Sequence, residues 1–515
     1  MDLGAIFANL FTIQTLIGWI IGVGGGMIIG ALPGLGATMG IAILTPLSFT
    51  MEPVAALVML TSIYTSAIYG GGITAILLHT PGTPASAATA MDGYQMTLKG
   101  EGLRAIGMAT VASAIGGTIS GFLLLLIAPP LARISLRFNA PEYFLLALFG
   151  LTIIGSLSAE NILKGLISGV LGLSLALVGY DVMNGIPRFA YGVTALQSGI
   201  QTVPALIGLF SISQVLIQAE NLNKKRKSEH VDPSAVELKG RFFPTKEEMK
   251  FLTPNFIRSS LLGIIVGILP GAGGDIGSWV GYNEAKRFSK HKDEFGKGSI
   301  EGICGSETAN NAVTGGALIP MMTLGIPGSS AAAVLLGGFM IHGLVPGHQL
   351  FTEHANTTYA IIIGFIIANL LMGLLGAATA KYIVKVVKVP YAIMAPIIIV
   401  LSIVGAYAIN ISFVDCVITA AFGLLGYFMR KFGFPTAPVV LGLILGPMAE
   451  QGLLRSFLMA KNTMILEYYL TRPICIILIV MILASLFAPM LMNKLSRKMN
   501  KPSIAETGAD ANSDD

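Results

Sequence analysis

The sequence has 515 residues, of which 54% are hydrophobic and only 11% are charged. A soluble domain carries about 25% charged residues, so this composition excludes a water-facing surface over most of the protein and predicts one that faces lipid. The formal net charge of +5 is spread over the loops, which excludes a nucleic-acid-binding footprint and a nucleic-acid partner.

Cysteine spacing and the N-terminus limit the class of protein further. Cys304, Cys416 and Cys475 lie far apart without CxxC spacing, which argues against a zinc site and a disulfide framework. The N-terminus lacks the basic region of a cleavable signal peptide, so we expect the first apolar segment to be retained.

Apolar runs recur along the chain and predict an all-α, polytopic membrane protein with about 10–12 transmembrane segments. A helix needs about 20 residues to cross the hydrocarbon, and several runs are shorter, so some segments must be broken, re-entrant or tilted. The runs are Phe11–Ile29, Val54–Leu78, Ala105–Ala128, Tyr143–Ile154, Leu163–Val178, Leu196–Ile217, Asn255–Leu269, Ala309–Leu324, Tyr359–Val384, Tyr391–Ile409, Cys416–Phe428 and Ile474–Met492.

Between Glu220 and Phe251 the composition becomes polar and basic, and includes the run KKRK at residues 224–227. The surplus of positive charge predicts a cytoplasmic location, and we interpret the run as a solvated topology signal rather than a binding patch. The predicted organisation is a first membrane repeat (1–219), a charged cytoplasmic linker (220–252), a second membrane repeat (253–493) and a disordered cytoplasmic tail (494–515).

Two motifs occur once in each half, in the same order. Residues 30–36 (GALPGLG) correspond to residues 267–273 (GILPGAG), and residues 80–86 (TPGTPAS) correspond to residues 325–331 (GIPGSSA). Two matching motifs in matching order indicate an internal repeat.

Loop charges predict that the two repeats have inverted topology. Residues 49–53, between the motifs of the first half, have no Lys or Arg, whereas residues 286–297 of the second half are strongly basic. After the second motif the bias reverses, because Lys99 and Arg104 follow it in the first half and residues 341–358 contain histidines but no Lys or Arg. Equivalent loops on opposite sides of a membrane are typical of secondary transporters with inverted repeats.

The Pro-Gly pairs interrupt apolar helices and leave backbone groups that need partners inside a bilayer. The chain around residues 270–274 must enter and leave on the cytoplasmic side, so we expect a re-entrant hairpin with its tip there. By symmetry, residues 33–36 form the tip of a hairpin that enters from outside.

Thr83-Pro84 is typical of an N-cap followed by Pro at the first helical position, and Ser329 or Ser330 matches this role in the second half. Helix N-termini present free N–H groups that suit a carboxylate. The alternative is that all four interruptions are structural kinks, but four symmetry-related breaks with adjacent hydroxyls favour a binding site. The predicted substrate-binding residues are Pro33, Gly34, Gly36, Thr80, Gly82, Thr83, Ser86, Pro270, Gly271, Gly273, Pro327, Gly328, Ser329 and Ser330.

Polar residues within apolar segments are candidates for ion coupling. Asp275 lies at the tip of the second hairpin, and with Asn310 and Asn311 it forms the predicted site for a coupling Na⁺ or H⁺. No other cofactor or metal is expected. Glu307 is explained equally well by a functional role or as the cap of a helix that begins near Thr308.

The motif segments together resemble the large membrane subunit of the tripartite tricarboxylate transporters. They are residues 30–38 (GALPGLGAT), 69–76 (YGGGITAI), 80–86 (TPGTPAS), 267–274 (GILPGAGG) and 325–329 (GIPGS). The likeness covers about Ile13 to Met492. It implies a multi-pass carrier in the bacterial inner membrane, with a periplasmic solute-binding protein and a small four-helix membrane subunit as partners. It also implies symport of carboxylates such as citrate, driven by an ion gradient, without separating one acid from another.

Other classes fit less well. No GxxxxGK[ST] motif or soluble domain suggests an ATP-driven pump, and no HExxH or GxSxG motif suggests a hydrolase. An intramembrane aspartyl protease of the GxGD type would use Asp181 and Asp275, but Ala272 replaces the first glycine of its second motif. A passive channel is a third alternative, although paired breaks suit alternating access better. We therefore do not predict an enzyme.

Overall fold

The computed structural model describes residues 2–32, 34–157, 162–181, 184–225, 241–269, 273–386, 391–461 and 463–499. Most of these residues are helical. Two short strands, β1 (Gly179–Tyr180) and β2 (Pro187–Arg188), form an antiparallel hairpin. The all-α prediction is therefore confirmed.

The helices before the linker include two irregular turns. A 3₁₀ turn at Pro84–Ser86 precedes the fifth helix, and a π turn at Gly208–Ile212 joins the tenth to the eleventh. The α-helices are α1 (Leu3–Leu10), α2 (Ile13–Ala31), α3 (Ala37–Ser48), α4 (Pro53–Leu78), α5 (Ala87–Leu98), α6 (Gly102–Ser135), α7 (Ala140–Leu157), α8 (Ile162–Ala176), α9 (Thr194–Gln197), α10 (Thr202–Ile207) and α11 (Ser213–Lys225).

The helices after the linker include the counterparts of the interrupted segments of the first half. They are α12 (Lys246–Ile268), α13 (Gly273–Phe288), α14 (Ile300–Leu324), α15 (Ser330–Ile341), α16 (His348–Thr352), α17 (Ala355–Val386), α18 (Tyr391–Asn410), α19 (Phe413–Lys431), α20 (Ala437–Ala460), α21 (Ile465–Leu470) and α22 (Pro473–Met499).

Within the described residues, nine segments are long and apolar enough to cross a membrane, and five further apolar helices are shorter. The protein is thus a multi-pass membrane protein. The segment in α4 is completely buried by its neighbours, which places α4 at the centre of the fold.

Two of the long helices differ most from the predicted apolar runs. α14 begins at Ile300, whereas the predicted run begins at Ala309. The predicted run is too short because polar residues within 306–311 lower the hydropathy of the first half of the helix. α20 is absent from the predicted runs, since Pro447, Glu450 and Arg455 break its apolar pattern.

Helices also extend into the predicted linker and tail. α11 continues to Lys225, and α12 begins at Lys246 after a capping box formed by Thr245 and Glu248. α22 continues to Met499. Residues 226–240 and 500–515 lie outside the described residues, so the division into two repeats, linker and tail stays a prediction.

α2 and α3 form a helical hairpin. A methyl group added to Gly22 would meet Met59, and one added to Gly30 would meet Ala67, so α2 and α4 run side by side in the same direction. Two neighbouring helices can be parallel only if the chain between them runs back to the side on which the first helix began. α3 makes that return, which is the path predicted for a hairpin with its tip at residues 33–36.

α12 and α13 form the equivalent hairpin in the second half. Methyl groups on Gly263 and Gly267 would meet Ala309 and Val313, so α12 and α14 are also parallel neighbours. The tip residues 270–272 lie outside the described residues.

The second motif of each half ends one helix and begins another inside the protein. α4 ends at His79 and α14 ends at Gly325, both with left-handed backbone (φ 53° and 73°). The chain then folds back, because Gly82 packs against Gly71, and Gly328 packs against Ala317. α5 and α15 therefore begin beside the middle of the helices that precede them.

The central helices of the two halves cross antiparallel. Thr65 of α4 donates a hydrogen bond to Asn311 of α14 at 2.8 Å. A methyl group on Gly72 would lie 2.7 Å from a carboxylate oxygen of Glu307. Residue numbers rise along α4 as they fall along α14, so corresponding helices point in opposite directions.

Loops from the two halves meet in pairs at the ends of these helices. Lys99 Nζ donates to the carbonyl of Lys297 at 2.6 Å, and His342 Nε2 lies 3.0 Å from the hydroxyl of Ser48. Each contact joins a loop between the motifs of one half to the loop after the second motif of the other.

Candidate functional site

A cavity of about 810 Å³ lies where the four interrupted segments meet. The N-terminal residues of α3, α13 and α15, and of the 3₁₀ turn before α5, form much of its wall. Free N–H groups and the positive ends of helix dipoles therefore face one space, which favours an anion.

The sequence-predicted residues divide into three groups. Gly34, Gly36, Gly82, Thr83, Gly273, Asp275, Ser329 and Ser330 line the cavity. Thr80, Ser86, Pro327, Gly328, Asn310 and Asn311 are not part of its lining. Pro33, Pro270 and Gly271 lie outside the described residues.

The predicted N-cap is confirmed in the second half. Ser329 Oγ accepts from the backbone N–H of Ala332 at 3.1 Å, and it lies 2.7 Å from the hydroxyl of Tyr64. Thr83 precedes Pro84 as predicted but makes no capping hydrogen bond, and its hydroxyl lies 2.9 Å from that of Ser86. The two equivalent hydroxyls therefore have different hydrogen-bonding roles.

Glycine at positions 82 and 328 is required by packing. A methyl group added to Gly82 would lie 2.3 Å from the carbonyl oxygen of Gly30, and one added to Gly328 would lie 2.2 Å from that of Gly267. These distances are far below van der Waals contact, so the backbone of each second motif rests directly on the hairpin helix of its own half.

Arg430 lines the cavity but was missed in the sequence prediction. Its guanidinium donates to Gln214 Oε1, and Gln214 in turn donates to the carbonyl of Gly34 at 2.9 Å. Arg430 Nε is buried without a partner, and the residue forms no ion pair within the described residues. In the sequence, Arg430-Lys431 is typical of the charged flank of an apolar run, so no local signal distinguishes Arg430.

Asp275 lies in the first turn of α13 and is exposed to the cavity. Its carboxylate has no hydrogen bond or ion pair in the described part of the chain. A negative group is favourable at a helix N-terminus, and this one is also accessible to a cation in the cavity.

Asn310 and Asn311 are fully buried in α14, behind the cavity wall. Both amide atoms of Asn310 lack hydrogen-bond partners, whereas Asn311 Oδ1 accepts from Thr65. Glu307 lies on the same helix, so its interpretation as a cap near Thr308 is wrong, because α14 begins at Ile300.

The structure does not bring together the two aspartates that a protease would need. Asp181 forms an ion pair with Arg188 at the strand hairpin, at 3.1 Å, and Arg188 also binds Glu450. Asp275 instead lies in the cavity wall, which Asp181 does not line.

Two relatives from one bacterium match this chain over most of their own length. The chain is 36% identical over 492 residues to an uncharacterised 52.8 kDa protein from the TAR-I ttuC' 3' region of Agrobacterium vitis, covering 96% of both chains. It is 35% identical over 212 residues to an uncharacterised protein from the TAR-II ttuC' 3' region of the same organism, covering 41% of this chain and 87% of the relative. No solved structure gives a significant match.

The sequence model of the tripartite tricarboxylate transporter TctA family matches residues 16–441. This range contains both pairs of motifs and every residue that lines the cavity. The family consists of transporter subunits rather than enzymes, and it is part of a system with further subunits. The chain therefore belongs to the tripartite tricarboxylate transporter TctA family.

Proposed function

We propose that this chain is the substrate-translocating subunit of an importer in the bacterial inner membrane that carries small di- or tricarboxylates such as citrate. The observation that carries the proposal is the convergence of helix N-termini and the Arg430 guanidinium on one cavity. An Arg fork and free N–H groups together match the geometry and charge of carboxylates.

The substrate-binding residues proposed are those of the predicted set that line the cavity, together with Arg430, except that Ser329 is proposed to act by capping α15. Gly328, Pro327, Thr80 and Ser86 are proposed to act indirectly, by holding the backbone that forms the wall. The large cavity leaves space for water around an acid of this size, which agrees with recognition of a class of carboxylates.

Inverted repeats are proposed to provide alternating access. The antiparallel crossing of α4 and α14 supports this, as does the pairing of loops from the two halves. A two-fold axis in the membrane plane relates equivalent helices in opposite directions, whereas an axis along the membrane normal would leave them parallel.

Transport is proposed to be symport driven by a Na⁺ or H⁺ gradient, with Asp275, Asn310 and Asn311 as the coupling residues. Asp275 has a carboxylate free to bind a cation, and the unpartnered amide of Asn310 lies directly behind the wall. A periplasmic solute-binding protein is proposed to deliver the acid, and a small four-helix membrane subunit to complete the complex.

Substitution of Arg430 tests the substrate class. Arg430→Gln in purified protein is expected to weaken citrate binding, measured by isothermal titration calorimetry, by about 10- to 100-fold, because hydrogen bonds to a charged group contribute about 1.5–3 kcal/mol. Arg430→Lys keeps the charge without the fork and should be intermediate.

Arg455→Gln is the matched control, since Arg455 is exposed on α20 and does not line the cavity. Acetate and succinate, compared with citrate, define the number of carboxylates recognised. Unchanged binding of every acid by Arg430→Gln would refute the proposed anion site.

A further inference from the structure

Glu307 is a fully buried acid in the middle of α14, held by hydroxyl groups from two other helices. Thr89 of α5 donates to its Oε1 at 2.6 Å, and Ser113 of α6 donates to its Oε2 at 2.8 Å. Ser306 lies 3.0 Å from the Thr89 hydroxyl. Both carboxyl oxygens therefore have hydrogen-bond partners.

No cation accompanies this acid. Within the described residues, Glu307 forms no ion pair with Lys, Arg or His, and it does not line the cavity. A buried charge is retained only when it is paired, and otherwise the group is neutralised. In the described part of the chain no group of three or more His, Cys, Asp or Glu is placed to hold a metal ion, so we take the neutralising ion to be a proton.

Other titratable groups face this region from the surrounding helices. Tyr69 of α4 bonds to Thr110 at 2.7 Å, and Asp92 of α5 accepts three backbone N–H groups through one oxygen. On α14 the titratable groups nearest Glu307 are Glu301 and Cys304. The described residues of α6 that face Glu307 carry hydroxyl groups. These groups are acidic or neutral, so they do not supply the missing positive charge.

Three hydroxyl groups lie between the cavity and Glu307, two of them as a hydrogen-bonded pair and the third bound to the acid. Thr83 lines the cavity, and its hydroxyl lies 2.9 Å from that of the fully buried Ser86. Thr89 follows Ser86 by about one helical turn and donates to Glu307. Hydroxyls both donate and accept, and Ser86 and Thr89 are neighbours three residues apart, so a proton can pass between them when their side chains come into hydrogen-bond contact.

A second set of contacts brings the acid close to the same wall. Asn310 lies about one turn after Glu307 on α14. A methyl group added to Gly274, which lines the cavity, would lie 2.7 Å from Asn310 Oδ1. The unpartnered amide of Asn310 is thus separated from the cavity only by backbone.

We propose that Glu307 is an exchangeable proton-binding site that communicates with the cavity through Thr83, Ser86 and Thr89. When the carboxylate is protonated, Thr89 gives its proton to Oε1 and accepts one from the cavity side, so that one proton is bound and one negative charge is removed. Release follows the same steps in reverse. This inference deepens the proposed coupling and rests on it for its role in transport, but proton binding itself is measured without transport.

Infrared difference spectroscopy of the purified protein in nanodiscs tests the proposal. We expect a carboxylic-acid C=O band that changes between about pH 5 and about pH 9, the range in which buried Glu residues titrate. Glu307→Gln should remove this band, and Thr89→Ala should shift its frequency, because it removes the hydrogen bond to Oε1.

Glu301→Gln on the same helix is the matched control and should leave the band in place. If Glu307→Gln does not fold, Glu307→Asp keeps a carboxyl group and should move the band. A spectrum without any band that depends on residue 307, or a band from Glu307 that never changes with pH, would overturn the proposal.

A transport measurement then separates the two claims. In proteoliposomes, Glu307→Gln is expected to retain citrate exchange at equal pH and to lose accumulation driven by a pH gradient. Full pH-driven accumulation in this variant would also overturn the proposal. If the wild-type protein carries no carboxylate at all, the proposed function fails while the infrared titration still decides whether Glu307 binds a proton.

Discussion

Ser329 and Thr83 occupy equivalent positions at the cavity, yet their hydroxyls have different partners. Ser329 caps α15 and contacts Tyr64, so two of the three hydrogen-bonding positions of its hydroxyl are filled within the protein. Thr83 contacts only Ser86, which leaves two positions of the Thr83 hydroxyl open, including its O–H for an anion when Ser86 is the donor.

Alanine substitution should therefore separate the two residues. Ser329→Ala is expected to lower stability by about 0.5–2 kcal/mol through loss of the cap, with citrate affinity nearly unchanged. Thr83→Ala should weaken citrate binding by about two- to tenfold, the value of one hydrogen bond, and Thr83→Ser should restore it. Melting temperature and calorimetric affinity are measured for each variant, and the opposite pattern would contradict this assignment.

The backbone part of the site could be predicted from the sequence, whereas most of its side chains could not. A Pro-Gly pair acts locally, so residues such as Gly34, Thr83 and Ser329 could be identified as helix breaks and N-termini. Arg430, Gln214 and Tyr64 lie on three separate helices with ordinary local patterns. Only tertiary packing brings them to the cavity, and one sequence contains no signal for that packing.

At the scale of elements, the hairpins depend on glycine where helices touch. Gly82 and Gly328 rest on the carbonyl oxygens of Gly30 and Gly267. Because the obstructing atoms are backbone, a side chain cannot be accommodated by a change of rotamer. The same distance in both halves indicates that each second motif is positioned by its own hairpin.

Gly328→Ala is expected to lower the melting temperature strongly or to prevent assembly, because α12 and the second motif must move apart. Gly24→Ala is the matched control. Gly24 lies within α2 with nothing within 4 Å of an added methyl group, and Ala is favoured over Gly in a helix by about 1 kcal/mol. Size-exclusion chromatography and thermal unfolding compare the two variants, and equal stability would show that the contact is not tight.

Among the long helices, the hydropathy pattern identified most but shortened or missed those that carry polar residues. The run predicted for α14 is too short because Glu307, Asn310 and Asn311 interrupt its apolar sequence. All three residues are buried by other helices rather than exposed to lipid. Hydropathy measures suitability for lipid, so it fails for a helix at the centre of a membrane protein. α20 was missed for a related reason at Glu450, which pairs with Arg188.

For the whole molecule, the positive-inside rule and the helix contacts place four loops on the same sides of the membrane. They differ on the side at which α6 ends. Lys99 and Lys297 meet on one side, and Ser48 and His342 meet on the other. Arg133 and Arg137 follow the last apolar residues of α6, so their charge alone predicts the cytoplasmic side.

The contacts between helices place these two arginines on the opposite side of the membrane. A methyl group on Gly117 would meet Asn369, and one on Gly121 would meet Ile366, so α6 and α17 run antiparallel. The C-terminal end of α6 therefore lies beside the beginning of α17, on the side of Ser48 and His342. We therefore expect the basic segments at 224–227 and 286–297 to determine the topology more strongly than Arg133 and Arg137.

Single cysteines in a background without Cys304, Cys416 and Cys475 test this topology. We expect Thr50→Cys, His348→Cys and Arg137→Cys to react with a membrane-impermeant maleimide in intact cells. Lys99→Cys and Lys292→Cys should react only after permeabilisation, because they belong to the paired loops on the other side. Labelling of Arg137→Cys together with Lys99→Cys would show that charge decides the position of α6 and would contradict the antiparallel packing of α6 and α17. Labelling of Thr50→Cys and Lys292→Cys from the same side would refute the inverted repeat itself.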